Sequence, residues 1–354
     1  MLFRKMILGG IDLAQHKEPA FSRHITFMSD VEFRDFDLNE YRDFDSETIY
    51  KIIELSKIRD EHTGEYLIDI INRALKKKTD LLLLNAIDDD PFTSSSYAAM
   101  KWLSKYAILG LNLVAKILKP EKRRCVINPD FDIDGVNSKV PEKVLGLKVK
   151  KVNLSYPISP RLNRSFDGEV VSIGACALVN LAKAVVDGTI SKVCFVTIAG
   201  DGVDYSSTVA APLGTPISAL FEECSVKLKN QKIIYGSLMS GRAVESVDVG
   251  VEETTKSVIL LNNYSVRTDL NCIGCGRCVS VCPERLSPYY IYKSSKRGLE
   301  DDALKTLSKF CTDCGCCSYV CPGKCNPAHY IKLYKRRANL NTGGDTLETD
   351  TNRV

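Results

Sequence analysis

CTDCGCCSYVCPGKC, residues 311–325, holds six cysteines in fifteen positions, and their spacing decides how the end of the chain folds. Four of them, Cys311, Cys314, Cys317 and Cys321, run C-x2-C-x2-C-x3-C and are followed by Pro322. The same run occurs upstream in CIGCGRCVSVCP, where Cys272, Cys275, Cys278 and Cys282 precede Pro283. The chain has 14 cysteines in 354 residues; ten lie between 272 and 325, and only Cys125, Cys176, Cys194 and Cys224 lie elsewhere. Disulfides are not packed so densely into one segment of a cytoplasmic chain, so the concentration reads as metal ligation. The four scattered cysteines read as small buried apolar residues.

C-x2-C-x2-C-x3-C-P is the spacing with which bacterial ferredoxins hold a [4Fe–4S] cluster. Three thiolates two residues apart wrap one face of a cubane through a tight turn, with backbone N–H groups aimed at its sulfides. The fourth, just ahead of proline, starts a helix and reaches the neighbouring cluster. The expected ligands are therefore Cys272, Cys275, Cys278 and Cys321 for one cluster, and Cys311, Cys314, Cys317 and Cys282 for the other. A pair of zinc sites is the alternative, but zinc motifs set two cysteine pairs across a spacer, whereas here four come together twice. Gly274, Gly276 and Gly315 suit close backbone approach to a cubane. Cys316 and Cys325 fall outside the spacing and are expected to pack rather than ligate. Between the runs a helix is predicted over 299–310, with Asp301 and Asp302 in its first turn and Lys309 near its end, as the helix dipole favours.

Composition excludes several classes. A net charge of +4 gives no nucleic-acid footprint, and 44% apolar with 26% charged residues is that of an ordinary globular protein. The longest apolar run, YAILGLNLVAKIL (106–118), is too short to span a bilayer and contains Lys116. No apolar stretch of signal-peptide length opens the chain. A cytoplasmic location is expected, with membrane association only through partner subunits. IKLYKRRANL (331–340) is basic enough to dock an acidic carrier, or is simply a solvated amphipathic helix. NTGGDTLETDTNRV (341–354) reads as a disordered tail.

A two-cluster domain leaves about 260 residues ahead of it unexplained. KVCFVTIAG (192–200), DYSSTVAAPLG (204–214) and QKIIYGS (231–237) read as strands. TPISALFEEC (215–224) reads as a helix with Thr215 as N-cap and Pro216 at its first position. Strand–strand–helix–strand is the order of a β-grasp module. Earlier, TDLLLLNAIDDDPFTSSSYAAM (79–100) reads as a buried strand running into three aspartates and a helix. DGEVVSIGACALVNLAKAVVDG (167–188) reads as a strand passing through Gly174 into a helix. Such alternation predicts a three-layer α/β domain over 45–190. Loops at the carboxyl ends of its strands hold ligands, which singles out Asn85, Asp88, Asp89 and Asp90. A solvated acidic loop, with Asp90 or a serine as helix cap, is the plain alternative.

In this order the pieces resemble the RnfC family, the soluble subunit of the Rnf membrane-bound electron-transport complex, with its relatives cobalamin reductase PduS and PrdC, over about residues 45–335. LLLLNAIDDDPF stands where the family has an Asn-Gly-Ala-Glu-x-Glu-Pro segment, and GEVVSIGACALVNLAKAV matches its Asn-Val-Gly-Thr segment and helix. VTIAGDGV, PLGTPISALFEEC and IIYGSLMSGRAV match its SLBB β-grasp module, and the two cysteine runs close the match. The resemblance implies an N-terminal segment (1–44), an α/β domain like the complex-I flavoprotein (45–190), an SLBB β-grasp domain (191–262), a ferredoxin-like α+β domain with two [4Fe–4S] clusters (263–340) and a tail (341–354). The family's N-terminal biotinyl-like domain has little room here.

The resemblance also implies an FMN and NADH site, and the chain departs from the family there. IIELSKIRDEHTGEYLIDII (52–71) has one glycine, Gly64, where the family has a glycine-rich loop under the flavin. Asn-Val-Gly-Thr has become Ser172-Ile173-Gly174-Ala175. Asn85, Asp88, Asp90, Ser172 and Gly174 are expected to mark a vestigial flavin site, with neither FMN nor NADH held tightly. A site rescued by Ser172 and the backbone at Gly174 stays open. The expected function is single-electron relay through two clusters, between a partner redox enzyme and a ferredoxin-like or membrane-complex acceptor. The alternatives are an FMN-dependent NADH dehydrogenase or reductase subunit, and a non-enzymatic scaffold or regulatory paralogue.

Overall fold

The computed structural model describes residues 7–8, 11–12, 21–128, 143–262, 264, 271–299 and 301–340. The tail expected over 341–354 lies outside the described residues. The chain divides into two compact units, His16–Asn263 and Met1–Gln15 with Tyr264–Val354. Of the first fifteen positions, the described residues form an antiparallel pair, β1 (Ile7–Leu8) and β2 (Ile11–Asp12).

The larger unit carries two sheets. After β3 (Phe21–Phe27), α1 (Ser46–Ser56) starts at Asp45, whose carboxylate accepts from Thr48 N at 2.9 Å. α2 (Leu67–Ala74) then leads to β4 (Leu81–Ala86), in which every residue is buried. Side chains alternate across a strand, so Leu82 and Leu84 join one core and Leu81 and Leu83 another. A strand apolar on both faces belongs inside a parallel sheet, and each buried leucine contributes roughly 1.5–3 kcal/mol.

Then come α3 (Ser95–Trp102), α4 (Ser104–Leu118), β5 (Lys122–Ile127), the hairpin β6 (Lys143–Val144) and β7 (Leu147–Lys151), α5 (Ser159–Leu162), β8 (Val170–Gly174) and α6 (Ala175–Asp187). The strands order as β6-β7-β5-β4-β8, parallel except for β6. One face packs α1, α2, α4 and α6. The other is covered by Val152, Ile158 and Leu162, from irregular chain and the single turn of α5. Among the described residues, the single turn of α5 and the 3-10 turn Asn163–Ser165 after it are the helical elements on this face.

The second sheet contains β9 (Val193–Ala199), β10 (Ser206–Pro212), β11 (Lys232–Gly236), β12 (Arg242–Val244) and β13 (Ser257–Leu261), in the order β12-β11-β13-β9-β10-β3. β9 and β10 form an antiparallel pair, and β13 returns parallel to β9 at the sheet's centre. α7 (Ile217–Glu223) packs Ile217, Leu220 and Phe221 on this sheet. Thr215 is not its N-cap: the hydroxyl bonds back to Pro212 O at 2.8 Å. The helix begins one residue later than expected, and Ile217 N and Ser218 N donate to Val249 O and Val247 O, so neighbouring backbone does the capping. β3 adds parallel to β10 at the sheet edge, a strand within the segment given no element in the sequence. Buried Asn180 ties α6 to the start of β9, with Nδ2 donating to Val193 O at 2.9 Å and Oδ1 accepting from Val193 N at 2.7 Å.

Candidate iron–sulfur site

The smaller unit repeats one backbone path at an interval of 39 residues, the offset from Cys272 to Cys311. α8 (Arg277–Ser280) is capped by Gly276 at φ 72° and ψ −2°, and α11 (Cys316–Tyr319) by Gly315 at φ 74° and ψ −7°. Ahead of each cap, Gly274 (φ 71°) matches Asp313 (φ 54°); behind it, Arg285 (φ 52°) matches Lys324 (φ 50°). The turn bonds repeat too: Cys282 N donates to Val279 O at 3.3 Å, and Cys321 N to Ser318 O at 3.4 Å. Left-handed backbone is costly for side chains other than glycine. Its recurrence at Asp313, Arg285 and Lys324 shows that this path, rather than residue preference, sets the conformation.

Each half continues into a helix with proline in its first turn, α9 (Pro288–Lys296) and α12 (Pro327–Leu340). α10 (Asp302–Ser308) lies between, capped by Asp301, whose carboxylate accepts from Leu304 N at 3.1 Å. Ile291, Cys317, Ile331 and Tyr334 form the buried core. Tyr334 closes it by donating to Leu299 O at 2.8 Å and accepting from Asp301 N at 2.7 Å.

Cys272, Cys275, Cys278 and Cys321 line one cavity of about 390 Å³, part of it open to solvent. A Cβ added to Gly274 or Gly276 would meet nothing within 4 Å, so both glycines border free space. Burial raises the Cys278 thiol, and the neighbouring Cys321 and Cys272 raise it further. Burial likewise raises Cys282, and Cys314 of the second run adds to the rise. Cys311 is pushed up to about 12 by burial and then by Asp313, and Cys317 upward by burial and then by Cys311 and Cys314. Cys314 is instead lowered, to about 6, chiefly by a hydrogen bond from Cys316. Burial and the mutual influence of these thiols oppose their ionisation, and a cationic centre among them would reverse that. The residues therefore fit clusters whose iron supplies that charge. Cys325 occupies the place that Leu286 takes in the first half, and both are buried.

A second polar concentration lies in the larger unit, at the C-terminal ends of β4 and β8. Asn85 and Gly174 are register partners, Ser172 pairs with Leu83, and Asn85 Oδ1 accepts from Ile87 N at 3.2 Å. Asp88, rather than Asp90 or a serine, receives the N-terminus of α3, accepting from Ser96 N at 3.0 Å and Tyr97 N at 2.8 Å. Burial raises its carboxyl, and those N–H groups oppose the shift. Asp89 Oδ1 and Asp90 Oδ2 each lie 3.5 Å from Lys256 Nζ, and all three side chains are at most 12% exposed. Burial works to lower the Lys256 amine, but Asp89, Asp90 and Asp88 together hold it above its usual value. Burial raises Asp89, but Lys256, His62 and the Ser159 hydrogen bonds together more than offset this; at Asp90 burial prevails. Asp60 and Glu61 also reach this place, within the stretch 52–71. No motif marked them, and their acidic pairing near Gly64 was the one available signal.

Residues 265–322 match the family described as a 4Fe-4S dicluster domain. The chain is thus an iron–sulfur protein of mixed α/β architecture, with two [4Fe–4S] clusters in a C-terminal domain. It is 27% identical over 246 residues to the C subunit of the Na(+)-translocating ferredoxin:NAD(+) oxidoreductase complex of Acetobacterium woodii, covering 64% of this chain and 55% of that protein. It is 25% identical over 244 residues to the C subunit of the ion-translocating oxidoreductase complex of Buchnera aphidicola subsp. Baizongia pistaciae, covering 62% and 47%. The chain spans about half the length of these curated relatives. Its relationship to the RnfC-type subunits therefore rests on somewhat under two thirds of its own length. In fold it is similar to a chain of NAD+-reducing [NiFe]-hydrogenase in the H2-reduced state, with a TM-score of 0.51 and 12% identity over 86% of this chain and 66% of that one. Among the described residues no helix is long and apolar enough to cross a membrane.

Proposed function

We propose that this chain is an RnfC-type electron-transfer protein that relays single electrons between a partner redox enzyme and a ferredoxin-like or membrane-complex acceptor. Its two clusters are held by Cys272, Cys275, Cys278 and Cys321, and by Cys311, Cys314, Cys317 and Cys282. The observation that carries this reading is the crossing of the repeat: Cys321 lines the cavity of the first run, and Cys282 has Cys314 of the second run as its thiol neighbour. When bound, such clusters supply one-electron redox chemistry. The chain's own part is to fix eight thiolates on two turns, to bury Cys317 behind Ile291 and Tyr334, and to leave Cys275 exposed toward an approaching carrier.

On this reading 45–190 is a complex-I-flavoprotein-like domain and 191–262 an SLBB β-grasp domain. The latter is supported by the β9–β10–α7–β11 order and by β13 parallel to β9. Both serve as docking surface, on the cytoplasmic side and peripheral to a membrane complex. The test is reduction of the anaerobic protein by a one-electron donor and reoxidation by a ferredoxin, with no flavin or nicotinamide added. Turnover under those conditions supports the relay. Dependence on added FMN and NADH would point instead to a dehydrogenase subunit.

A further inference from the structure

The two helices that leave the C-terminal ends of β4 and β8 both have their N-termini filled by carboxylates of the chain itself. At α3 the carboxylate is the nearby Asp88. At α6 it comes from more than a hundred residues upstream. Gly174 caps α6 at φ −66° and ψ 149° and has no side chain to offer, so the first N–H groups of the helix need partners from elsewhere. Glu61 Oε1 accepts from Cys176 N at 2.8 Å, Glu61 Oε2 from Ala177 N at 3.1 Å, and Asp60 Oδ2 from Gly174 N at 2.6 Å. Converging N–H groups at a helix start, in the crevice beyond parallel strands, are where such folds take a phosphate. Here the carboxyl group is covalently part of the protein and Glu61 is 4% exposed; burial raises that carboxyl, and His62 and the Cys176 N–H oppose the rise.

The loop that carries Glu61 is held from several sides. Arg59 and Tyr66 bridge its base, with the guanidinium 4.2 Å over the Tyr66 ring and bonded to its hydroxyl at 2.6 Å. Asp60 Oδ1 gathers His62 N at 3.0 Å and Thr63 N at 2.9 Å into a turn that Gly64 closes at φ 72°. Glu61 and Gly174 also fit each other. A Cβ at 174 would stand 2.1 Å from Glu61 Oε2, although the φ there suits any residue. The space that the missing side chain leaves is therefore used by Glu61, and the residues present do not fit a flavin phosphate. His62, its side chain 3% exposed, bonds Ser159 Oγ through Nδ1 at 3.2 Å. Its Nε2 makes no hydrogen bond among the described residues and lies 3.7 Å from Glu61 Oε1.

We propose that Glu61 is an internal anion standing where a ligand's phosphate would sit at the N-terminus of α6, closing this crevice to flavin nucleotides. Shortening that one side chain converts the crevice into a site for a phosphate monoester, freeing Cys176 N and Ala177 N beside the already unbonded His62 Nε2. The inference goes beyond the relay reading and does not depend on it. Iron content and cluster reduction decide the relay, whereas flavin and phosphate titrations decide the crevice.

The experiment titrates FMN, by quenching of its fluorescence, and inorganic phosphate, by thermal shift, into the full-length protein and its Glu61→Ala variant. The wild-type protein is expected to show no saturable binding, and the variant to bind both about tenfold tighter or better, as charge-assisted contacts to the freed N–H groups would give. Stoichiometric FMN on the wild-type protein, or a folded Glu61→Ala no better than wild type, overturns the proposal. Two further variants keep it testable if Glu61→Ala does not fold. Glu61→Gln is expected to melt at lower temperature than wild type while staying closed to FMN; unchanged melting, or FMN binding, refutes the internal anion. Gly174→Ala is expected to lower the melting temperature as well, because the new Cβ meets the Glu61 carboxylate; melting equal to wild type refutes the contact.

Discussion

Replacing Lys256 by methionine removes the cation paired with Asp89 and Asp90 while keeping most of the side chain's volume. Nζ lies 3.5 Å from an oxygen of each carboxylate, and the side chains are 12%, 6% and 9% exposed. At that distance and an effective dielectric of about 20, each pair is worth roughly 5 kcal/mol before desolvation is counted. Most of that offsets the cost of burying three charges, so the measurable loss is that of breaking a buried ion pair, about 3–5 kcal/mol. The loss should depend on pH in one direction. Without Lys256, nothing opposes the burial that raises Asp89 as strongly, and the upward shift already present at Asp90 grows. A carboxyl whose folded pKa exceeds its unfolded value takes up a proton on folding, so the variant gains stability as pH falls through that folded value. In the wild-type protein Asp89 is held low, and its contribution persists until pH approaches the unfolded value of about 3.9. The gap between the two proteins should therefore narrow as pH falls from neutral through the raised folded values toward the unfolded carboxylate value. Urea unfolding followed by Trp102, the only tryptophan and part of the same unit, measures it. A loss under about 1 kcal/mol at neutral pH, or a gap that is constant with pH, would refute the reasoning.

Other substitutions probe the helix packing, the cluster ligands and the capping of α3. Gly110→Ala should destabilise despite the gain of about 1 kcal/mol in helix propensity, because the new Cβ would lie 2.1 Å from Leu178 O of the facing helix; a higher melting temperature would show that α4 and α6 can part at little cost. If Cys282 crosses over as proposed, Cys282→Ser should cost iron at the cluster assigned to Cys311, Cys314 and Cys317, leaving about half the iron content; loss from the first run's cluster instead, read by EPR in paired variants, would contradict crossed ligation. Cys316→Ala and Cys325→Ala should keep full iron and sulfide. Asp88→Ala should cost about 0.5–2 kcal/mol as the cap of α3 is lost, measured by urea unfolding; because burial raises that carboxyl in the folded protein, the cost should shrink as pH rises through its folded value.

The cysteine domain was legible because ligand spacing is local: a turn that wraps a cubane is written in consecutive residues. β4 was equally plain, since four leucines bounded by Thr79-Asp80 and by Asn85 and the aspartates suit a short strand buried on both faces. Edge placement was not. β3 joins the second sheet across some 180 residues of intervening chain, and nothing in FSRHITF names β10 as its partner. The start of α7 was missed by one residue because its N–H groups are taken by backbone at 247–249 rather than by the Thr215 hydroxyl. The helix predicted over 299–310 is shorter, and α9 before it went unread, its apolar positions hidden among tyrosines and serines. At the β4 and β8 ends the pattern gave the acidic loop and Gly174 but not Glu61. A carboxylate that caps a helix more than a hundred residues away leaves no periodicity to find.

The central claim is that the chain's redox equipment is its two clusters. Anaerobic purification of the full-length protein, with iron, acid-labile sulfide and flavin determined on one sample, tests it most directly. About eight irons and eight sulfides per chain, four of each per cluster, are expected, with no stoichiometric flavin. About four irons, zinc in their place, or one FMN per chain would contradict it.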